Sequence, residues 1–116
     1  MMLSRVFLDI ADPSFASALL VKLSEHGIKP VFFSINDTNF EISSNDLALI
    51  EMESVDKNFF SKIIKVRDRG SSIFILVDRL HKRVQKRATE SGADLVFTKD
   101  SVIKNFKEII SFISEK

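Results

Sequence analysis

The side chains of this chain that could do chemistry gather at the ends of its apolar runs. Asp9 and Asp12 follow residues 6–8, Glu51 and Glu53 follow 47–50, Asp78 follows 73–77, and Lys99 with Asp100 follows 93–97. Carboxylates beside a lysine are charges that can be aimed at a divalent ion or at an anion, provided one scaffold brings the run ends together. Other chemistries are closed. Cysteine is absent from the 116 residues, which excludes a disulfide framework, a thiolate zinc site and a cysteine nucleophile. His26 and His81 are far apart with no thiol to help them, so no metal and no cofactor is expected. His26 reads as a helix-end residue beside the last carbonyls.

The elements that must position these groups follow from the hydrophobic pattern. Five short apolar runs alternate with segments of helical spacing. The first run, 5–10, leads into Asp12-Pro13, an N-cap followed by proline in the first turn, where its missing N–H costs nothing. Phe15, Ala18, Leu19 and Leu23 then share one helical stripe, and Gly27 ends it. A second strand is expected over 30–35. Residues 36–45 are polar, with only Phe40 and Ile42 as apolar anchors, so a loop or at most two helical turns is expected there. Residues 47–50 form a continuous apolar run, as buried parallel strands do. Val55, Phe59, Phe60, Ile63 and Ile64 make a helical stripe closing at Arg69-Gly70, and 73–77 is the most strand-like stretch of the chain. A basic helix over 79–91 would bury Leu80, Val84 and Ala88 and end at Gly92. A fifth strand is expected over 93–97, and a last helix over 101–114 would turn Val102, Phe106, Ile109, Ile110 and Ile113 inward.

Strand–helix alternation with apolar strands predicts one α/β domain over residues 1–116. Its architecture would be a doubly wound five-stranded parallel sheet of flavodoxin-like order 2-1-3-4-5 in a three-layer sandwich, with its second helix shortened or absent. Ligands in such sheets sit at the carboxyl ends of the strands. Those ends are Ile10-Ala11-Asp12, Glu51-Met52-Glu53, Val77-Asp78 and Thr98-Lys99-Asp100.

Along its whole length the chain resembles the receiver domains of two-component response regulators, the CheY-like superfamily. Residues 45–51, Asn-Asp-Leu-Ala-Leu-Ile-Glu, are similar to the segment ending at the family's phosphorylated aspartate; residues 73–78 are similar to its fourth strand; and 92–99, Gly-Ala-Asp-Leu-Val-Phe-Thr-Lys, are similar to the segment ending at its conserved lysine. Carried over residue by residue, the resemblance puts Glu51 at the phosphoacceptor position and Ile10 and Ala11 at the metal-binding acidic pair, just before Asp12. It puts Val77 at the hydroxyl switch, Val96 at the aromatic switch and Lys99 at the lysine. A glutamate reaches one methylene further and is not a normal phosphoryl acceptor, an Ile-Ala pair offers magnesium no carboxylate, and Val77 has no hydroxyl. A one-residue bulge would bring Asp9 into the site. Of the parts that phosphoryl transfer requires, Lys99 alone remains.

The resemblance therefore implies an atypical receiver, not an enzyme, that works in signal transduction through protein–protein contact and independently of aspartyl phosphorylation. The competing expectation is a phosphorelay receiver still phosphorylated at a non-standard residue. A nucleotide- or flavin-binding domain is disfavoured because Ile10-Ala11-Asp12-Pro13-Ser14 has no glycine to cradle phosphate. Lys99 either reaches solvent or pairs with Glu51 and holds the strand ends together.

Charge points to a partner. Residues 1–56 carry nine Asp/Glu and three Lys/Arg, a net of −6, and residues 57–116 a net of +7. Arg79, Lys82, Arg83, Lys86 and Arg87 crowd into nine residues with His81 among them. The bland reading is a solvated helix face. The functional one is a dock for an acidic protein surface or, in the family's manner, a homodimer face built from its fourth helix, fifth strand and fifth helix. Nucleic acid is the less favoured partner, because neither Tyr nor Trp offers a stacking platform. With no signal-peptide pattern and no apolar run of membrane-spanning length, a cytoplasmic location without membrane contact is expected.

Overall fold

The computed structural model of the chain describes residues 5–35, 41–52 and 58–114, with side chains to residue 111. The elements run β1 (Arg5–Asp9), α1 (Pro13–Glu25), β2 (Lys29–Phe32), β3 (Asp46–Glu51), α2 (Phe59–Arg67), β4 (Ser72–Val77), α3 (Lys82–Ser91), β5 (Leu95–Thr98), α4 (Lys99–Lys104) and α5 (Phe106–Ser114). The five strands form one all-parallel sheet in the order β2-β1-β3-β4-β5, as the alternation of apolar runs predicts.

The pleat divides the core in two. Phe7, Ala48, Ile50, Ile73, Ile75 and Val77 face α2 and α3; Val6, Leu8, Leu47, Leu49, Phe74 and Leu76 face α1, α4 and α5. β3 and β4 lie in the middle and are buried on both faces, so their sequences are apolar without alternation. Among the described residues no helix lies between β2 and β3. Instead Ile35 and Ile42 are buried against the sheet there, and Phe33 meets Phe7 edge-on at 5.5 Å. The segment is pinned by Asp46, whose carboxylate accepts from the Arg5 guanidinium at 2.9 Å and from the Ser43 N–H at 2.8 Å.

Several boundaries differ from those expected. β2 stops at Phe32 and is largely exposed, because an edge strand has one neighbour and little cover. Val66, not Ile64, completes the buried stripe of α2, and Val55 lies outside the described residues. α3 starts at Lys82, leaving Arg79 and Leu80 in the loop before it. Leu80 is thus 51% exposed rather than buried. β5 starts at Leu95 because the two preceding residues serve the turn. Gly92 ends α3 at φ +118°, and Asp94 clamps the start of β4 by donating its N–H to the Ile73 carbonyl (2.8 Å) and accepting the Ile73 N–H on its carboxylate (2.7 Å). The last helix begins earlier, at Lys99, and breaks at Asn105 into α4 and α5. Val102, Phe106 and Ile110 are buried as expected, whereas the side chain of Ile113 lies outside those described. No helix among the described residues is long and apolar enough to cross a membrane.

Candidate functional site

Glu51 ends β3, flanked by β1 and β4 and therefore sealed from both sides; its side chain is 1% exposed. A carboxylate so deep must be paired or pay heavily for its charge. Both of its oxygens are occupied. Oε1 accepts the backbone N–H groups of Ala11 (2.7 Å) and Asp12 (3.1 Å), and Oε2 is ion-paired with Lys99 Nζ. Lys99 is the first residue of α4, whose N-cap Thr98 accepts the Ser101 N–H on its hydroxyl. Its ammonium also meets Asp78 Oδ1 at 3.1 Å and Asp12 Oδ2 at 3.8 Å. The Glu51 hydrogen bond raises the Lys99 pKa, burial opposes it, and Asp78 adds to the rise.

The carboxyl ends of four strands thus meet at one lysine. Asp12 also caps α1, accepting from the Ser14 and Phe15 N–H groups at 3.0 and 3.3 Å, so the turn that presents the Ala11 and Asp12 amides to Glu51 is held from both ends. Above Lys99 an open depression of about 490 Å³ is lined by Asp12, Phe15, Asp78, Asp100 and Lys104 among others.

The positions singled out in the sequence sort into three groups. Glu51, Lys99, Asp12 and Ala11 converge, with Ala11 contributing its backbone rather than its side chain. Ile10 packs on the α1 side of the core, and Val77 is buried at the end of β4. Val96 packs on the α2–α3 side of the sheet, while Phe97 turns to the opposite face and meets Phe74 at 5.2 Å. Asp9 stays in an unbroken β1–β3 register, opposite Ile50, and its carboxylate accepts the Ile35 N–H at 2.9 Å. The bulge that would bring it to the site does not occur. Asp78 is the member that sequence reasoning undervalued. It directly follows the last residue of β4 and is marked by the sequence only as a strand end, with no role, because as an 81% exposed side chain it carries no hydrophobic or motif signal.

The Lys99 ammonium already stands against Glu51, positions 10 and 11 supply no carboxylate, and no group of three or more His, Cys, Asp or Glu among the described residues could hold a metal.

Among the basic residues, Arg87 lies with its guanidinium 4.4 Å from the Phe60 ring centre on α2, and Lys86 is 4.0 Å from Glu90. His26 caps the C-terminus of α1, its Nδ1 2.9 Å from the Lys22 carbonyl, as expected. Exposed His81 precedes α3 without a capping bond.

No family model matches the chain, and no curated protein does. Solved structures do. The chain is similar to the beryllofluoride-activated receiver domain of DrrB, with a TM-score of 0.74, 16% identity and complete coverage of both chains. It is similar to the receiver domain of the Francisella response regulator 1452, at TM-score 0.69 and 18% identity over 97% of each chain. It is also similar to a CheY-like receiver domain from Methanospirillum hungatei JF-1, at TM-score 0.68 and 14% identity over 97% of this chain and 98% of that one. The fold is that of response-regulator receiver domains.

Proposed function

We propose that this chain acts in signalling as a single receiver-like domain that binds a protein partner without being phosphorylated and without catalysing a reaction. One observation carries the reading: the place where a receiver would take up a phosphoryl group is filled from within. Glu51 spends one oxygen on the Ala11 and Asp12 amides and the other on Lys99. An incoming phosphoryl donor would have to displace the lysine and leave a buried carboxylate uncompensated, a cost of about 3–5 kcal/mol. The internal ion pair does part of what a phosphoryl group and lysine would do together, drawing the ends of β3 and β5 towards the β1–α1 turn. Val77 and Val96, apolar and buried, put neither a hydroxyl nor an aromatic ring at the two positions that the resemblance marks as switches.

The test is direct. Isotope-labelled chain mixed with magnesium and beryllofluoride is expected to keep its amide spectrum unchanged at residues 11, 12, 51 and 99, and acetyl phosphate is expected to add no mass. Shifts centred on residue 51 in the presence of both ions, or a stable phosphoryl adduct, would overturn the proposal.

A further inference from the structure

The excess positive charge of the C-terminal half is not spread over the molecule. α2 and α3, side by side on one face of the sheet, carry seven Lys/Arg and one acid, whereas α1, α4 and α5 on the other face carry four Lys/Arg and three acids. The two basic helices are joined by their own bases. The Arg87 guanidinium lies over Phe60 of α2, and the Arg67 methylenes lie where a Cβ at Gly92 would stand. Phe60, Ile64 and Arg67 recur at helical spacing, so Ile64 lies on the same α3-facing stripe as its two neighbours. It is 37% exposed, an apolar side chain one helical turn along α2 from Phe60, over whose ring the Arg87 guanidinium lies, with Arg83 one turn before Arg87 on α3.

We infer that the seam between α2 and α3 is a docking surface for an acidic protein segment that brings one apolar anchor to Ile64. This rests on the reading of the chain as a protein-binding module and names the surface and the chemistry of its partner. Charge complementarity sets the sign of the partner, and the apolar centre within a basic rim sets its class. Protein interfaces bury an apolar core inside a polar rim, whereas a phosphate backbone asks only for positive charge. Among the described residues, the large apolar side chains exposed on these two helices include no aromatic ring on which a base could stack.

The experiment uses the full chain, isotope-labelled, and a synthetic glutamate-rich peptide with one Leu-Phe pair at its centre. Amide shifts are expected along residues 60–67 and 82–92. Arg83→Glu with Lys86→Glu is expected to weaken the peptide by about tenfold, equivalent to roughly 1.4 kcal/mol. Ile64→Ser, or Ile64→Thr should the first variant lose its circular dichroism signal, is expected to weaken it comparably, and Lys107→Glu on the opposite layer to leave it unchanged. No binding, shifts centred on α3, β5 and α5 instead, or indifference to Ile64 would each overturn the inference. So would a DNA duplex that binds more tightly than the peptide with a steep salt dependence. The magnesium–beryllofluoride mixture run on the same sample separates the two proposals: binding there removes the phosphorylation-independent reading, and its absence together with no peptide binding removes the docking surface alone.

Discussion

At the scale of single residues, the decisive feature is that Glu51, Asp12 and Asp78 all pair with Lys99 at the strand ends. Lys99 is 18% exposed and serves three carboxylates, while Glu51 depends on Lys99 for one of its two oxygens. Removing the lysine is therefore worse than removing both charges. Lys99→Met is expected to lower unfolding free energy by about 3 kcal/mol in urea titrations, and Glu51→Gln combined with it to recover much of that loss, since an amide oxygen still accepts the Ala11 and Asp12 N–H groups. The pH dependence has two arms of opposite sign. Lys99 is raised above 10.5 by Glu51, so its contribution is complete below pH 10.5 and disappears as pH climbs through the raised value. Burial pushes Asp46 up, but the Arg5 hydrogen bond, the two bonds from Ser43 and the Arg5 charge together hold its carboxyl below the ordinary 3.8. That contribution is complete above pH 3.8 and is lost as pH falls through the lowered value. Denaturant titrations across pH should show both arms, with Lys99→Met erasing the alkaline one and Arg5→Met weakening the acid one.

At the scale of elements, the segment that most resembles a receiver motif turns out to have structural tasks. Gly92 takes a left-handed conformation, Ala93 is buried, and Asp94 grips both polar groups of Ile73. Gly92→Ala is expected to cost about 1–3 kcal/mol in thermal or chemical unfolding, because its φ of +118° suits only glycine and its new methyl would meet the Arg67 side chain. Arg67→Ala in the same chain should remove the collisions with Cγ and Cδ and leave the one with Cβ, together with the backbone strain. Capping works alike at the two helices that frame the site. Asp12→Ala and Thr98→Val are each expected to cost about 1 kcal/mol, with Asp12→Ala additionally reducing the number of carboxylates around Lys99. The helix ends were readable where a cap or a glycine announces them, as at Asp12-Pro13 and Gly27. They were misjudged where tertiary contacts decide, as at Leu80, at the start of α3, and at Asn105, where nothing in the apolar spacing marks a break.

At the scale of the whole molecule, charge is uneven between the helical layers as well as between the halves of the chain. The formal net charge is only +1. A cation-exchange column should nonetheless retain the protein more strongly than that value implies, and Arg83→Glu with Lys86→Glu should shift elution further than the same two reversals at Lys104 and Lys107 on the other layer. The apolar runs and their spacing determined the parallel sheet, its strand order and the strand ends where chemistry could lie, because burial on both faces demands continuous hydrophobic strands and right-handed crossovers leave few topologies. They also determined what positions 10, 11, 51 and 77 lack, since side-chain chemistry is written in residue type. What only the tertiary structure decided is how the remaining charges meet. Whether Asp9 reached the site depended on an unbroken strand register. That Asp78 and Asp12 share Lys99 with Glu51, and that the bases of α2 and α3 fall on one face, depended on the packing of elements dozens of residues apart, and distances across a fold are not properties of spacing along a chain.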